Sequence, residues 1–144
     1  MRVYLDNCCY NRPFDGQDQL GVRLETEAKL YIQRLMRLGV VEYVWSDELV
    51  GELQKCPFAD RKEKILPWGE NASVFVEITP EVERSALQIM GHGVKTADAL
   101  HLACALAAGC DWFFTVDKGI LRKFTHIGEM RVANPIDFIK EYEP

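Results

Sequence analysis

Residues 95–117 read Lys-Thr-Ala-Asp-Ala-Leu-His-Leu-Ala-Cys-Ala-Leu-Ala-Ala-Gly-Cys-Asp-Trp-Phe-Phe-Thr-Val-Asp. The stretch predicts a helix followed at once by a strand. Thr96 suits the N-cap, Ala97 to Ala108 are nearly all good helix formers, and Gly109 suits the position just past the helix end. The helix is apolar almost all round, which predicts burial. Trp112 to Val116 form a continuous apolar run, the pattern of a central parallel strand covered on both faces.

Two carboxylates interrupt this apolar unit. Asp98 falls in the first turn of the helix and Asp117 ends the strand. Either has an ordinary explanation, as a dipole-compensating acid or as a turn residue. Acids are nevertheless seldom buried unless paired or metal-bound. A third carboxylate strengthens the case for chemistry: Arg2-Val-Tyr-Leu-Asp6 is a short apolar strand that also ends in an acid. If the two strands are parallel neighbours, Asp6 and Asp117 share the carboxyl edge of the sheet, where open α/β folds bind their ligands.

The rest of the chain alternates strands and helices. A loop over 7–19 has no periodicity; its Arg12 suits a phosphate and equally an ion pair with Asp15. Leu24, Ala28, Tyr31, Leu35 and Leu38 mark a helix over 20–38. Val40 to Trp45 read as a strand, and Ser46 caps a helix carrying Asp47, Glu48 and Glu52. From spacing alone Glu48 and Glu52 are each as consistent with a surface position as with the sheet edge. A polar helix over 58–71 should kink or end at Pro67. A strand over 73–78 leads to Thr79-Pro80, which opens a helix to Met90. His92, between glycines, reads as a loop residue. A short helix from Lys118 to Phe124, a strand at 131–133 and a helix opened by Asn134-Pro135 complete the chain. This alternation predicts an α/β fold with a central, mainly parallel sheet and right-handed crossovers.

At 144 residues the chain has the size of a single domain, 1–144, with a real core. No apolar run approaches the length of a membrane span, and no basic-then-apolar signal opens the chain. The expectation is a cytoplasmic protein that does not meet a membrane. Five cysteines, an odd count without a CxxC, argue against a disulfide framework or a zinc site. The net charge of −5 counts against a nucleic-acid partner unless the acids are concentrated at a metal site or on another face.

Asp6, Glu52, Asp98 and Asp117 together resemble the PIN-domain nuclease family. The matching pieces are Val-Tyr-Leu-Asp6, Ser46-Asp-Glu-Leu-Val-Gly-Glu52-Leu, Thr96-Ala-Asp98-Ala-Leu-His-Leu-Ala and Phe-Thr115-Val-Asp117. The family pattern puts its second acid at Glu52 rather than Glu48, and often a hydroxyl where Thr115 stands. After its first Asp the family commonly has Ser or Thr and then Asn; here Asn7 and Cys8 stand there. The Asn-Arg-Pro-Phe-Asp loop, 11–15, looks like that of a prokaryotic subgroup resembling VapC toxins.

The resemblance implies a three-layer α/β/α fold in which the four acids bind Mg²⁺ or Mn²⁺ and Thr115 assists them, cleaving RNA. It implies a homodimer and an antitoxin partner as well. Hard oxygen ligands suit these ions, and metal chemistry needs no side-chain nucleophile. Arg12, Lys95, Lys118, Arg122 and Lys123 are expected to form a basic rim, with Arg12, Lys118 and Arg122 binding substrate. Two other classes cluster acids at strand ends. A phosphoacceptor receiver needs an Asp at the end of the middle strand, where this chain has Thr79. A haloacid-dehalogenase-type phosphatase needs a second Asp where Cys8 stands. A PIN domain that has lost activity and serves as a binding module is the remaining alternative.

Overall fold

In the computed structural model, which describes residues 1–143, the apolar run after Gly109 forms β4 (Trp112–Phe114) beside β1 (Arg2–Leu5). The two strands are parallel, with Tyr4 opposite Phe113 and Leu5 opposite Phe114. On the far side of β1 lie β2 (Glu42–Ser46) and then β3 (Val74–Val76), both parallel. Beyond β4 come β6 (Met130–Ala133), parallel, and β5 (His126–Ile127), antiparallel. The order β3-β2-β1-β4-β6-β5 reverses direction between β1 and β4. At such a switch point the connections leave the carboxyl ends in opposite directions and open a crevice there.

β5 was not foreseen from the sequence. Its two residues are too short to carry an alternation. The signal is the turn: Gly128 has φ of +59° and, with Glu129, joins His126–Ile127 to Met130–Arg131 as a two-residue hairpin with glycine first.

Side chains alternate across β1 and β4, so one face belongs to each helical layer. On one face Tyr4 stacks on Phe113 and meets His101 edge-on. His101 belongs to α7 (Thr96–Ala107), which packs against α6 (Pro80–Met90) and α3 (Asp47–Lys55). On the other face Trp112 and Phe114 pack on Phe138 of α9 (Pro135–Tyr142), which lies against α2 (Leu20–Arg37). The architecture is the expected three-layer α/β/α sandwich. Ala99, Leu102, Ala103, Cys104 and Ala105 of α7 are buried, as the all-round apolar run requires. Gly109 follows α7 with φ of +69°, the left-handed conformation that ends helices without a Cβ penalty.

Two local expectations need correction. The N-cap of α7 is Lys95, not Thr96: Ala99 N–H donates to the Lys95 carbonyl at 2.9 Å, so Thr96 is already inside the helix. The stretch over 7–19 is not all loop. It contains α1 (Asn7–Asn11) and a 3₁₀ turn, Arg12–Phe14. The Asp6 side chain accepts from Asn7 N–H, and burial of Cys9 and Tyr10 holds the short helix. One turn is too short to register as periodicity. The polar stretch 58–71 does break at Pro67 as expected, into α4 (Ala59–Ile65) and α5 (Pro67–Glu70), with Pro67 opening the second.

Candidate metal centre

The crevice between β1 and β4 is lined with acids because the period of two puts Asp6 and Thr115 on the same face as Tyr4 and Phe113, under α7. Thr115 Oγ1 donates to Asp6 Oδ2 at 2.8 Å, and Asn7 N–H donates to Asp6 Oδ1 at 2.8 Å. Asp6 is 5% exposed and Thr115 fully buried. Cys8, where the resemblance leads one to expect a different residue, puts its Sγ 3.4 Å from both Asp6 Oδ2 and Thr115 Oγ1. Asp117 continues from β4. Its N–H donates to Thr115 Oγ1 at 3.1 Å, and its Oδ1 accepts from Ile120 N–H, capping α8 (Lys118–Lys123). A Cβ at Gly119 would lie 2.9 Å from Asp117 Oδ1, so the glycine leaves that carboxylate its place.

Asp98 comes from above, in the first turn of α7. Burial, then the charges of Asp6 and Asp117, push its carboxyl from the ordinary 3.8 to about 6, against the opposing pull of His101 and Lys95. These causes put Asp98 within electrostatic reach of Asp6 and Asp117, although among the described residues the ligand atoms of the three do not form a group within 4.8 Å of one another. Among the described residues no lysine or arginine forms an ion pair with Asp6, Glu52, Asp98 or Asp117; only His101 does, with Asp6 and Glu52. Buried and half-buried hard-oxygen donors without a lysine or arginine partner fit a divalent cation.

Glu52 is held differently from the other three acids. Its Oε1 lies 2.5 Å from His101 Nε2, which is also 3.7 Å from Asp6 Oδ1. His101 thus stands between Glu52 and Asp6. In the sequence this histidine reads only as part of the motif Thr96-Ala-Asp98-Ala-Leu-His-Leu-Ala, with no role of its own. The available signal was its spacing: three residues after Asp98 in a helix, it must face the same side. Burial alone would lower the His101 pKa, but the bond to Glu52 and the charges of Asp6, Glu52 and Glu48 outweigh it and raise it. Glu48 is raised by burial and by Glu52.

The proposed substrate-binding residues divide. Lys118 and Arg122 are exposed on α8, directly after Asp117, and Lys95 is exposed beside Asp98. Arg12 is occupied: it pairs with Asp15 at 3.0 Å and Glu25 at 3.1 Å, tying the turn after α1 to α2. Of its two readings, the ion pair with Asp15 is the one present. A cavity of about 580 Å³ lies at the other end of β2, lined by Met36, Arg37, Tyr43 and Trp68, and holds none of these acids. A smaller cleft, about 280 Å³, runs from Glu52 past Asn7, Asn11, Lys55, Phe58 and Arg61.

A doubly wound sheet with acids at its switch point defines a class of open α/β proteins, whose ligand crevice lies at the carboxyl edge of the sheet. Residues 23–126 match the family model of the PIN domain, and the chain belongs to that family. Its structure is similar to the crystal structure of FitAcB from Neisseria gonorrhoeae, at 18% identity and a TM-score of 0.60, covering 92% of this chain and 97% of that one. It is also similar to VapBC2 from Rickettsia felis bound to a DNA fragment from their promoter, at 13% identity and a TM-score of 0.56, again covering 92% and 97%. At these identities the likeness concerns the fold. No curated protein matches the chain. Among the described residues no helix is long and apolar enough to cross a membrane.

Proposed function

We propose that this chain is a Mg²⁺- or Mn²⁺-dependent endoribonuclease and the toxin of a toxin–antitoxin pair. What supports the reading is that Asp6 and Asp117 follow neighbouring parallel strands at the switch point, with Asp98 near enough for their charges to raise its carboxyl. Asp6, Glu52, Asp98 and Asp117 would hold the ion. When bound, it polarises a phosphate oxygen and supplies or positions hydroxide for attack on the phosphodiester. The chain's own contribution is placement. Thr115 and Asn7 N–H fix both oxygens of Asp6, Ile120 N–H fixes Asp117, and His101 holds Glu52. The cleft beside Glu52 offers an exposed aromatic, Phe58, and the cation Lys55 to a single strand.

The test is incubation of a panel of RNAs with the purified chain in Mg²⁺, Mn²⁺ or EDTA. Cleavage with either ion and none in EDTA is expected. No cleavage of any RNA by folded protein in either ion would leave the binding module as the reading.

Lys118 and Arg122 would contact the RNA backbone over the acidic site. Replacing both with Ala should weaken RNA binding and reduce the slope of log affinity against log salt by about 1 to 2, as expected for losing that many phosphate contacts. Filter binding across a salt series measures it, and an unchanged slope would put the rim elsewhere.

The VapBC2 resemblance in fold and the VapC-like loop over 11–15 support an antitoxin partner and a homodimer. The apolar groove of Leu24, Ala28, Leu30, Tyr31, Ile136 and Ile139 between α2 and α9 leaves apolar surface for such contacts. Light scattering at micromolar concentration should return the mass of two chains; a monomer would contradict the dimer.

A further inference from the structure

The tightest group of ligating atoms in the protein is not made of the four acids. Among the described residues, Glu48, Glu52 and His101 are the group of three or more whose ligand atoms all lie within 4.8 Å of one another. Glu48 and Glu52 are one helical turn apart and so project from the same side of α3. His101 comes from α7, which packs against it.

The imidazole is fixed as a metal ligand's usually is. His101 is 1% exposed, and its Nδ1 lies 2.6 Å from Tyr4 OH. That hydroxyl lies 2.7 Å from Ser46 Oγ, which accepts from Leu49 N–H at 3.2 Å. Donation from Nδ1–H to Tyr4, and from Tyr4 to Ser46, gives every member of this chain a partner. In the metal-free protein Nε2–H then donates to Glu52 at 2.5 Å, and a cation takes the place of that proton between the imidazole and the carboxylates. Hydrogen bonding of the second ring nitrogen sets tautomer and orientation in protein metal sites. Glu48 is free to join it: its half-buried carboxylate has no hydrogen bond or ion pair among the described residues. Metal–ligand bonds of about 2.1 Å set donors roughly 3–4 Å apart, so Glu52 must draw back from Nε2 by about half an ångström while the wider separations within the 4.8 Å group close by a similar amount.

We propose that Glu48, Glu52 and His101 form a mixed nitrogen–oxygen site for a transition-metal dication of the Mn²⁺ class, adjoining the three aspartates and sharing Glu52 with them. An imidazole donor favours such ions over Mg²⁺, which takes oxygen ligands. The chain is then a nuclease with a built preference among divalent ions. This rests on the metal-dependent reading above and assigns Glu48 and His101 a part in it.

Mn²⁺ alone is the probe. Pulsed EPR on the Mn²⁺-loaded full chain is expected to detect coupling to one imidazole nitrogen, absent in His101→Gln. Because His101 is buried, Glu48→Gln is the second variant, on a partly exposed residue. It should weaken Mn²⁺ binding by about tenfold or more by calorimetry and change Mg²⁺ binding much less. A wild-type spectrum without nitrogen coupling, or equal Mn²⁺ affinity in Glu48→Gln, would overturn the proposal. RNA cleavage by the same preparation separates the two claims. Cleavage without nitrogen coupling removes the mixed site and leaves the nuclease. Nitrogen coupling without cleavage supports the mixed site and removes the nuclease.

Discussion

Asp98→Asn should reduce RNA cleavage by about a thousandfold or more, the scale of losing one charged group that stabilises a transition state, while leaving the metal-free protein no less stable. The second half follows from the raised carboxyl. Its folded value of about 6 exceeds the ordinary 3.8, so the folded state binds the proton more tightly than the unfolded state does. Stability of the metal-free wild type therefore falls as pH rises from about 4 to about 6 and is flat above, as far as this group decides it. Asp98 is partly exposed, so solvent screening reduces the effect to the order of 1 kcal/mol. The amide keeps the shape without the charge and removes this limb of the curve. If Asp98 merely complemented the helix dipole, the variant would lose roughly 0.3–1 kcal/mol and remain active. Urea denaturation in EDTA across that pH range, with cleavage assays on the same samples, distinguishes the two outcomes.

Phe114→Ala should cost about 3–5 kcal/mol of stability, a large share of the 5–15 kcal/mol typical of a domain. Phe114 is completely buried in β4. It stacks on Trp112 at 5.5 Å and meets Phe138 edge-on at 5.2 Å. Truncation opens a cavity between the sheet and α9, where close-packed aromatics leave little to collapse into it. The damage reaches the site, because the Phe114 carbonyl accepts from Asp6 N–H at 2.9 Å and the next residue is Thr115. The urea midpoint measures the effect, and a loss below about 1 kcal/mol would mean that β4 is not the core strand described here.

The unit built of β1, α7 and β4 was legible because each part has a long or unmixed signal. The alanine-rich run has no competing strand pattern, and Trp112-Phe-Phe114 is too apolar to be a loop. Once Asp6 and Asp117 end parallel neighbours, the period of two brings Thr115 beside Asp6. What escaped the sequence was short or cooperative. α1 spans little more than one turn and depends on a cap from Asp6, and β5 depends on the left-handed turn at Gly128. Arg12 could serve a phosphate or a carboxylate, and only the approach of α2, bringing Glu25, decides between them. His101 was hidden by its setting. In an apolar helix a single histidine reads as core, and its meeting with Glu52, Glu48, Tyr4 and Ser46 exists only after three elements have packed.

The central claim is that the acids at the β1–β4 crevice constitute a cation site. Melting of the wild type and Asp98→Asn, each in EDTA and in Mn²⁺, tests it most directly. Ligand binding to the folded state stabilises by RT ln(1 + [L]/Kd), so a weaker site gives a smaller shift. The account predicts a Tm rise with Mn²⁺ in the wild type and a clearly smaller rise in Asp98→Asn at the same Mn²⁺ concentration. Equal rises in the two proteins, or no rise in the wild type, would contradict it.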